Sequence, residues 1–353
     1  MVTIRDVARY AGVSPATVSR VVNGLNGYSK STQQRVEDAV AVLNYEPDSL
    51  ARGLKTKQSE VIGVLAPQVS DALASEVMTG VESAARARGY SVMLGRTGQG
   101  SAFAAGYLRT LRTYRSAGVI LISAAITPEM RRALGSTVPL ISVAIRDGMK
   151  FPSLAIDDEK AAYDATRYLL GLGHRRIGLL AGDPQSVLVN TVRERGHVRA
   201  MTEAGLPTVL EQGNSLYDSA PPALGRLLRR EPDLTAVFAL SDEMGAAVVN
   251  ELQRLGRRVP EDVSVLGFDN TRTSLHVHPA LSTVAQPLGR MGEMAVETLL
   301  SGGALRPTIL PHRLIERGST AHVTHTDLHT AHVTPAERQP ARVTSADRHL
   351  ADP

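Results

Sequence analysis

Apolar positions along this chain change period twice, and each change marks a different kind of structure. Ile4, Val7, Ala8 and Ala11 recur at helical spacing behind Thr3, a natural N-cap, and Gly12 ends the run. Ser14 opens a second helix with Pro15 at its first position and Val18, Val21 and Val22 as its inward stripe. Asn23-Gly24 and Asn26-Gly27 stop it, and a third helix is predicted from about Ser31 to Asn44, burying Val36, Val40 and Leu43. Residues 1–48 thus predict a small all-α unit.

From Val61 the helical stripe gives way to apolar runs of strand length: VIGVLAP (61–67), SVMLG (91–95), GVILIS (118–123), PLISVAI (139–145), RRIGLLAG (175–182), TAVFAL (235–240) and VSVLGF (263–268). Amphipathic helix-length segments near 75–88, 102–116, 128–135, 159–171, 192–204 and 242–255 separate them. Continuously apolar strands between helices predict parallel sheets covered on both faces, here two doubly wound α/β lobes. After Gly318 the period changes again, to a polar repeat of ten residues: TAHVTHTDLH from Thr320, TAHVTPAERQ from Thr330 and PARVTSADRH from Pro340. Such sequence buries too little apolar surface to offset its ordering entropy, so 320–353 is read as a disordered tail. Its histidines (His322, His325, His329, His332, His349) match no metal-site spacing.

Composition narrows the class. A chain of 353 residues with 43% hydrophobic and 21% charged residues suits one small domain and one large one. It contains no Cys, which removes disulfides, thiolate metal sites and cysteine nucleophiles together. Met1 to Asp6 is polar rather than the apolar start of a secretory leader, and no apolar run reaches membrane-spanning length, so a cytoplasmic protein is expected. The net charge of +4 says less than its placement. Residues 1–58 carry Arg5, Arg9, Arg20, Lys30, Arg35, Arg52, Lys55 and Lys57 against Asp6, Glu37, Asp38, Glu46 and Asp48, a surplus of +3. Nucleic acid is a fair partner for that end.

Thr3 to Gly24, TIRDVARYAGVSPATVSRVVNG, pairs two short helices across a Gly-Val-Ser turn, the arrangement that lays a second helix in a major groove. Outside its Val stripe that helix offers Pro15, Ala16, Thr17, Ser19, Arg20 and Asn23. Small residues allow close approach to base edges, and Arg20 has the reach for guanine O6/N7. Hydroxyls and amides at Ser14, Ser19, Asn23, Ser29 and Thr32 suit phosphate contacts. A helical hairpin used only for packing is the competing reading.

This segment, continued through LNYEPDSLARGLKTKQ (43–58), resembles the headpiece of the lactose-repressor-type (LacI/GalR) family of bacterial transcriptional regulators. The resemblance implies a headpiece at 1–48 and, at 49–59, a hinge that becomes helical on the operator. Leu54 then stands where the family wedges an apolar side chain into the minor groove, with Ala51 at the close-packing position beside it. It extends to about residue 320 through LGHRRIGLLAG (172–182), Arg193 with Gly196, FALSDEMGAA (238–247), SVLGFDN (264–270) and PALSTVAQP (279–287). The implied fold is a helix-turn-helix headpiece plus a periplasmic-binding-protein-like core at 60–319. Its N-lobe is about 60–156 plus 286–316, and its C-lobe about 157–285 plus 317–319.

The resemblance also implies a small-molecule effector between the lobes and a homodimer on a palindromic operator. Arg193 and Asp269 match the pair that holds polar groups of the effector, with Ser241 and Gln286 further lining positions. A guanidinium and a carboxylate suit vicinal hydroxyls of a sugar or the heteroatoms of a purine; a mutual salt bridge is the structural alternative. Departures from the family are visible. VSDALAS (69–75) replaces an Asn-Pro with aromatics, with Asp71 in it taken as an effector contact, and Ala144 stands where a carboxylate is expected. With no Trp and four Phe, an aromatic platform for a sugar is thin, and Tyr217 is the residue offered for it.

Other features read as structural. GLLAGD (178–183) lacks the Lys-Ser/Thr of a phosphate loop, Gly292 and Gly302-Gly303 read as helix and turn punctuation, and His174 as a surface turn residue. No nucleophile, acid pair or metal motif is legible, so neither an enzyme nor a cofactor is expected. The functions in contention are an effector-released repressor, a corepressor-dependent or ligand-independent regulator, a free solute-binding protein, and an enzyme with a DNA-binding arm.

Overall fold

The computed structural model describes residues 2–45, 59–68, 70–97, 101–146, 151–182, 187–303 and 306–323. The headpiece holds helices α1 (Ile4–Ala11), α2 (Pro15–Val22) and α3 (Lys30–Val42). At α1, Thr3 backbone N–H and hydroxyl both donate to Asp6 Oδ2, at 3.0 and 2.7 Å, and Gly12 closes the helix at φ 63°. Val7, Ala8, Ala11, Val18, Val21, Val36 and Ala39 are buried together, while Ile4, Val22, Val40 and Leu43 pack half-buried around them. The proposed hinge contacts Ala51 and Leu54 lie outside the described residues, as do 324–353 of the tail.

Two six-stranded sheets follow. The first runs β2 (Ser91–Arg96), β1 (Val61–Ala66), β3 (Gly118–Ile122), β4 (Leu140–Val143), β5 (Ser153–Ile156) and β11 (Thr308–Leu310), parallel throughout. The second runs β7 (Val209–Gln212), β6 (Ile177–Ala181), β8 (Ala236–Ala239), β9 (Ser264–Asp269), β10 (Ser282–Ala285) and β12 (Arg313–Ile315), with only β12 antiparallel. Helices α4 (Ala72–Arg86), α5 (Ser101–Thr113), α6 (Pro128–Leu134) and α11 (Leu288–Leu300) accompany the first sheet; α7 (Asp158–Gly171), α8 (Val187–Glu203), α9 (Ala220–Arg230) and α10 (Asp242–Arg254) accompany the second. Crossovers in parallel sheets need such helices, and covering both faces buries β1, β3, β4, β6, β8 and β9 almost completely.

The chain crosses between lobes three times, after β5, β10 and β11. The third crossing comes earlier than the sequence suggested, because Arg313–Ile315 pairs with β10 of the second sheet instead of staying in the first lobe through 316. β2 is an edge strand, so Met93 and Leu94 of the apolar SVMLG run are exposed rather than covered. Gly292 is no punctuation mark: in mid-helix it lets α11 press against α4, where an added Cβ would overlap the Val77 carbonyl oxygen.

His174 also departs from expectation. It is buried, its Nε2–H donating to the Ala321 carbonyl at 3.1 Å and its Nδ1 accepting from the Thr235 hydroxyl at 3.0 Å. Val323 N–H donates to Leu172 O at 2.9 Å and the Tyr168 and Thr320 hydroxyls bond at 2.9 Å, so 320–323 is docked on the second lobe rather than part of a loose tail. Burial pushes the His174 pKa down to about 4, against the Ala321 carbonyl, and burial alone brings His197 to about 4. Both rings stay neutral in the folded chain while their unfolded counterparts take up protons near pH 6.5. Stability should therefore fall as pH drops from about 6.5 towards 4. His174→Gln is expected to reduce that acid loss without removing it; equal acid sensitivity in thermal unfolding would contradict the assignment.

Candidate functional site

A cavity of about 170 Å³ opens between the lobes at the C-terminal strand ends, where open α/β sheets place their ligands. The first lobe contributes Gln68 after β1, Asp71 at the N-cap of α4, Ser123 after β3 and Ala144 after β4. The second contributes Asn190 and Arg193 from α8, Ser215 after β7, Ser241 at the N-cap of α10, and Asp269 closing β9. Ser123, Ala144, Ser215 and Asp269 take positive φ, 48°, 59°, 70° and 107°. Non-glycine residues adopt this region at a cost of about 1–3 kcal/mol each, and such strain gathers at binding sites. A larger hollow of about 640 Å³ beside Tyr90, Arg131 and Leu299 lies at the opposite, N-terminal strand ends of the first lobe and lacks this convergence of buried polar groups.

Arg193 organises the cleft's second wall. Its Nε donates to Asp158 Oδ1 at 2.8 Å, Nη1 to the Leu240 carbonyl at 2.9 Å and Nη2 to Asp269 Oδ1 at 3.5 Å, while the guanidinium lies 3.7 Å over the Phe268 ring. Gln286 Nε2 donates to the same Asp269 oxygen at 2.7 Å. All four polar partners are buried. Burial pushes Asp269 up to about 8, with Arg193 pulling the other way; burial raises Asp158 too, again opposed by Arg193. Asp242, raised by burial to about 6, accepts from Thr271 N–H at 2.6 Å, the Thr271 hydroxyl at 3.1 Å and the Thr283 hydroxyl at 2.5 Å, tying α10 to the end of the second sheet.

The structure brings Asp71, Arg193, Ser241 and Asp269 to one cavity. Gln286 stands behind it, held on Asp269. Tyr217 is not part of it. Its hydroxyl accepts from Asn250 Nδ2 at 2.7 Å on α10, and Ser215 and Leu216 line the cleft in its place, because the short turn at Tyr217–Ser219 leads the chain into α9. The weighed salt bridge between Arg193 and Asp269 exists, but its stronger member is Asp158, a residue missed from sequence. The signal lay in Asp157-Asp158 at a helix start: Asp157 caps α7 through Lys160 N–H at 3.0 Å, which leaves the second carboxylate free to face α8.

In the headpiece, Pro15, Ala16 and Arg20 stand exposed on α2 opposite buried Val18 and Val21. Several residues offered for phosphate are also caps. Ser14 Oγ accepts from Thr17 N–H at 3.1 Å, Ser29 Oγ from Thr32 N–H at 3.2 Å, and Asn23 Nδ2 donates to the Ser19 carbonyl at 2.6 Å. Thr17 and Thr32 bond to the capping hydroxyls.

A helix-turn-helix headpiece joined to a two-lobed clamp defines a DNA-binding regulator with a ligand-sensing core. Residues 3–48 match the model of bacterial regulatory proteins of the lacI family, and residues 166–320 that of a periplasmic binding protein-like domain. The chain is 36% identical over 330 residues to catabolite control protein A of Priestia megaterium, covering 90% of this chain and 99% of that protein. It is 36% identical over 306 residues to the HTH-type transcriptional repressor PurR of Vibrio vulnificus, covering 85% and 91%. A lac repressor dimer solved with operator and the anti-inducer ONPF superposes with a TM-score of 0.83 at 30% identity, covering 91% of this chain and 99% of that one. The chain belongs to the LacI family of bacterial transcriptional regulators. Among the described residues no helix is long and apolar enough to cross a membrane.

Proposed function

We propose that this regulator is a repressor that grips a palindromic operator as a homodimer in the cytoplasm and lets go when a small polar molecule occupies the cleft. The observation that carries the reading is the cleft itself: Arg193, Asp158, Asp269 and Ser241 converge, buried, between lobes joined at three crossings. A ligand held by both walls favours one lobe arrangement over the other, which is the differential affinity that coupling requires. Asp71, Arg193, Ser241 and Asp269 contact the effector, Gln286 acts through Asp269, and a sugar or sugar derivative fits so polar a lining.

On DNA, Arg20 and the Pro15-Ala16 pair read the major groove, while Thr3, Ser14, Thr17, Ser19, Asn23, Ser29 and Thr32 meet the backbone. Leu54, with Ala51 beside it, wedges the minor groove. Dimerisation is supported by exposed apolar side chains on the edge strand β2 (Met93, Leu94) and on α5 (Phe103, Tyr107), and by the dimeric lac repressor it resembles. Duplexes selected in vitro with the full chain provide the test. Leu54→Ala is expected to weaken the selected site on the order of tenfold or more while leaving binding to random duplex within about twofold. Unchanged affinity for the selected site would remove the wedge.

A further inference from the structure

Charge is unbalanced where the lobes face each other. Asp71 enters the cavity from the first lobe and Asp242, Glu243 and Asp269 from the second, with Arg193 as the one cation among the described lining residues. Arg193 is already committed to Asp158, the Leu240 carbonyl and Asp269. Asp242 is satisfied internally by Thr271 and Thr283. Asp269 shares Arg193 with Asp158, whereas Asp71 and Glu243 have no cation of their own among the described residues. Asp71 caps α4 through Leu73 N–H at 3.0 Å but forms no ion pair, and neither does Glu243, among the described residues. Asp269, 6% exposed and lining the cavity, accepts from Arg193 and Gln286 on Oδ1.

The repulsion acts across the cleft. Burial is the main influence raising the Asp71 pKa, and Glu243 on the opposite wall adds to it; Asp71 in turn adds to the rise at Asp269. At the rim, Arg272 of the second lobe reaches Glu76 of α4 at 3.8 Å, so this cation serves a different carboxylate. A phosphorylated or carboxylated ligand would add charge of the same sign. A neutral sugar would leave the facing carboxylates uncompensated and find no aromatic ring among the described lining residues.

We propose that the effector is a hydroxylated amine, its ammonium seated between Asp71 of the first lobe and Glu243 of the second and its hydroxyls meeting Asp269 and Ser241. The proposal rests on the cleft being the effector site. One cation then bridges both walls, so its binding and lobe closure reinforce each other.

Titration calorimetry on the full chain at about pH 6.5, where amines of this kind are protonated, tests it with three probes: glucosamine, glucose and glucose 6-phosphate. Glucosamine should bind on the order of tenfold more tightly than glucose, and the phosphate most weakly. Asp71→Asn, which keeps a capping side chain, and Glu243→Gln should each lower the ratio of glucosamine to glucose affinity. Glucosamine binding no better than glucose, no glucosamine binding at all, or a ratio unmoved by both substitutions would overturn the proposal. If glucose or its phosphate binds best and Arg193→Ala abolishes that binding, the charge assignment falls and the cleft reading stands. If a probe binds equally well to Arg193→Ala, the cleft reading falls with it.

Discussion

Arg193→Ala is expected to destabilise the second lobe by about 3–5 kcal/mol and, in the protein that still folds, to abolish the effector response. The size follows from what is left behind. The guanidinium offsets two buried carboxylates, Asp158 and Asp269, satisfies the Leu240 carbonyl and covers the Phe268 ring. Removing one partner of a buried pair costs more than the pair contributes, because the remaining charge has neither water nor a counter-ion. Asp158→Asn in the same chain should recover part of the loss by neutralising the more closely paired acid. Chemical denaturation of the single and double variants measures this directly. A loss under about 1 kcal/mol for Arg193→Ala would mean that the network is solvated and not the frame of the cleft.

The second large effect concerns two glycines with opposite outcomes. Gly80→Ala is expected to cost about 1–3 kcal/mol, because an added Cβ would overlap the Gly289 carbonyl oxygen where α4 and α11 meet backbone to backbone. Gly106 on α5 has nothing within reach of an added Cβ, so Gly106→Ala should stabilise by about 0.5–1 kcal/mol through the lost freedom of the unfolded chain. Thermal unfolding midpoints moving in the same direction would contradict the packing of α4 on α11. That packing matters for function, since Asp71 heads α4 and α11 leaves the second crossing between lobes.

The strands legible from sequence are those with long unbroken apolar runs, β2 included although its edge is exposed; the four-residue β5, SLAI, is fully buried yet too short to stand out. β1, β3, β4, β6, β8 and β9 are covered on both faces and read as unbroken apolar runs. β7 and β12 are sheet edges with mixed burial, and their short polar-apolar sequences gave no comparable signal. α9 was hidden by Pro221-Pro222, which look like breakers although proline is tolerated in a first turn; the stripe Ala223, Leu224, Leu227 behind them was the readable sign. In the cleft, Arg193, Ser241 and Asp269 were offered by resemblance and Asp71 by a segment that departs from it, whereas Asp158 was not offered, since nothing local links a helix-start aspartate to an arginine 35 positions later. His174 looked like surface because it follows Gly173 and precedes two arginines; only the docked segment 320–323 explains its burial. Tyr217 failed for the reverse reason, an aromatic near the cleft in sequence whose turn carries it to Asn250.

If exposed Arg20, Pro15 and Ala16 read bases, the chain selects sequence on two-fold DNA. Selection of bound duplexes from a random pool with the full chain, followed by affinity measurement on the enriched sequence, tests it most directly. The expected result is a palindrome with half-sites about one helical turn apart, bound at least 10³-fold more tightly than random duplex, with Arg20→Ala losing about 1–3 kcal/mol at a single guanine position in each half. Enrichment of no common sequence, or of one lacking two-fold symmetry, would contradict the account.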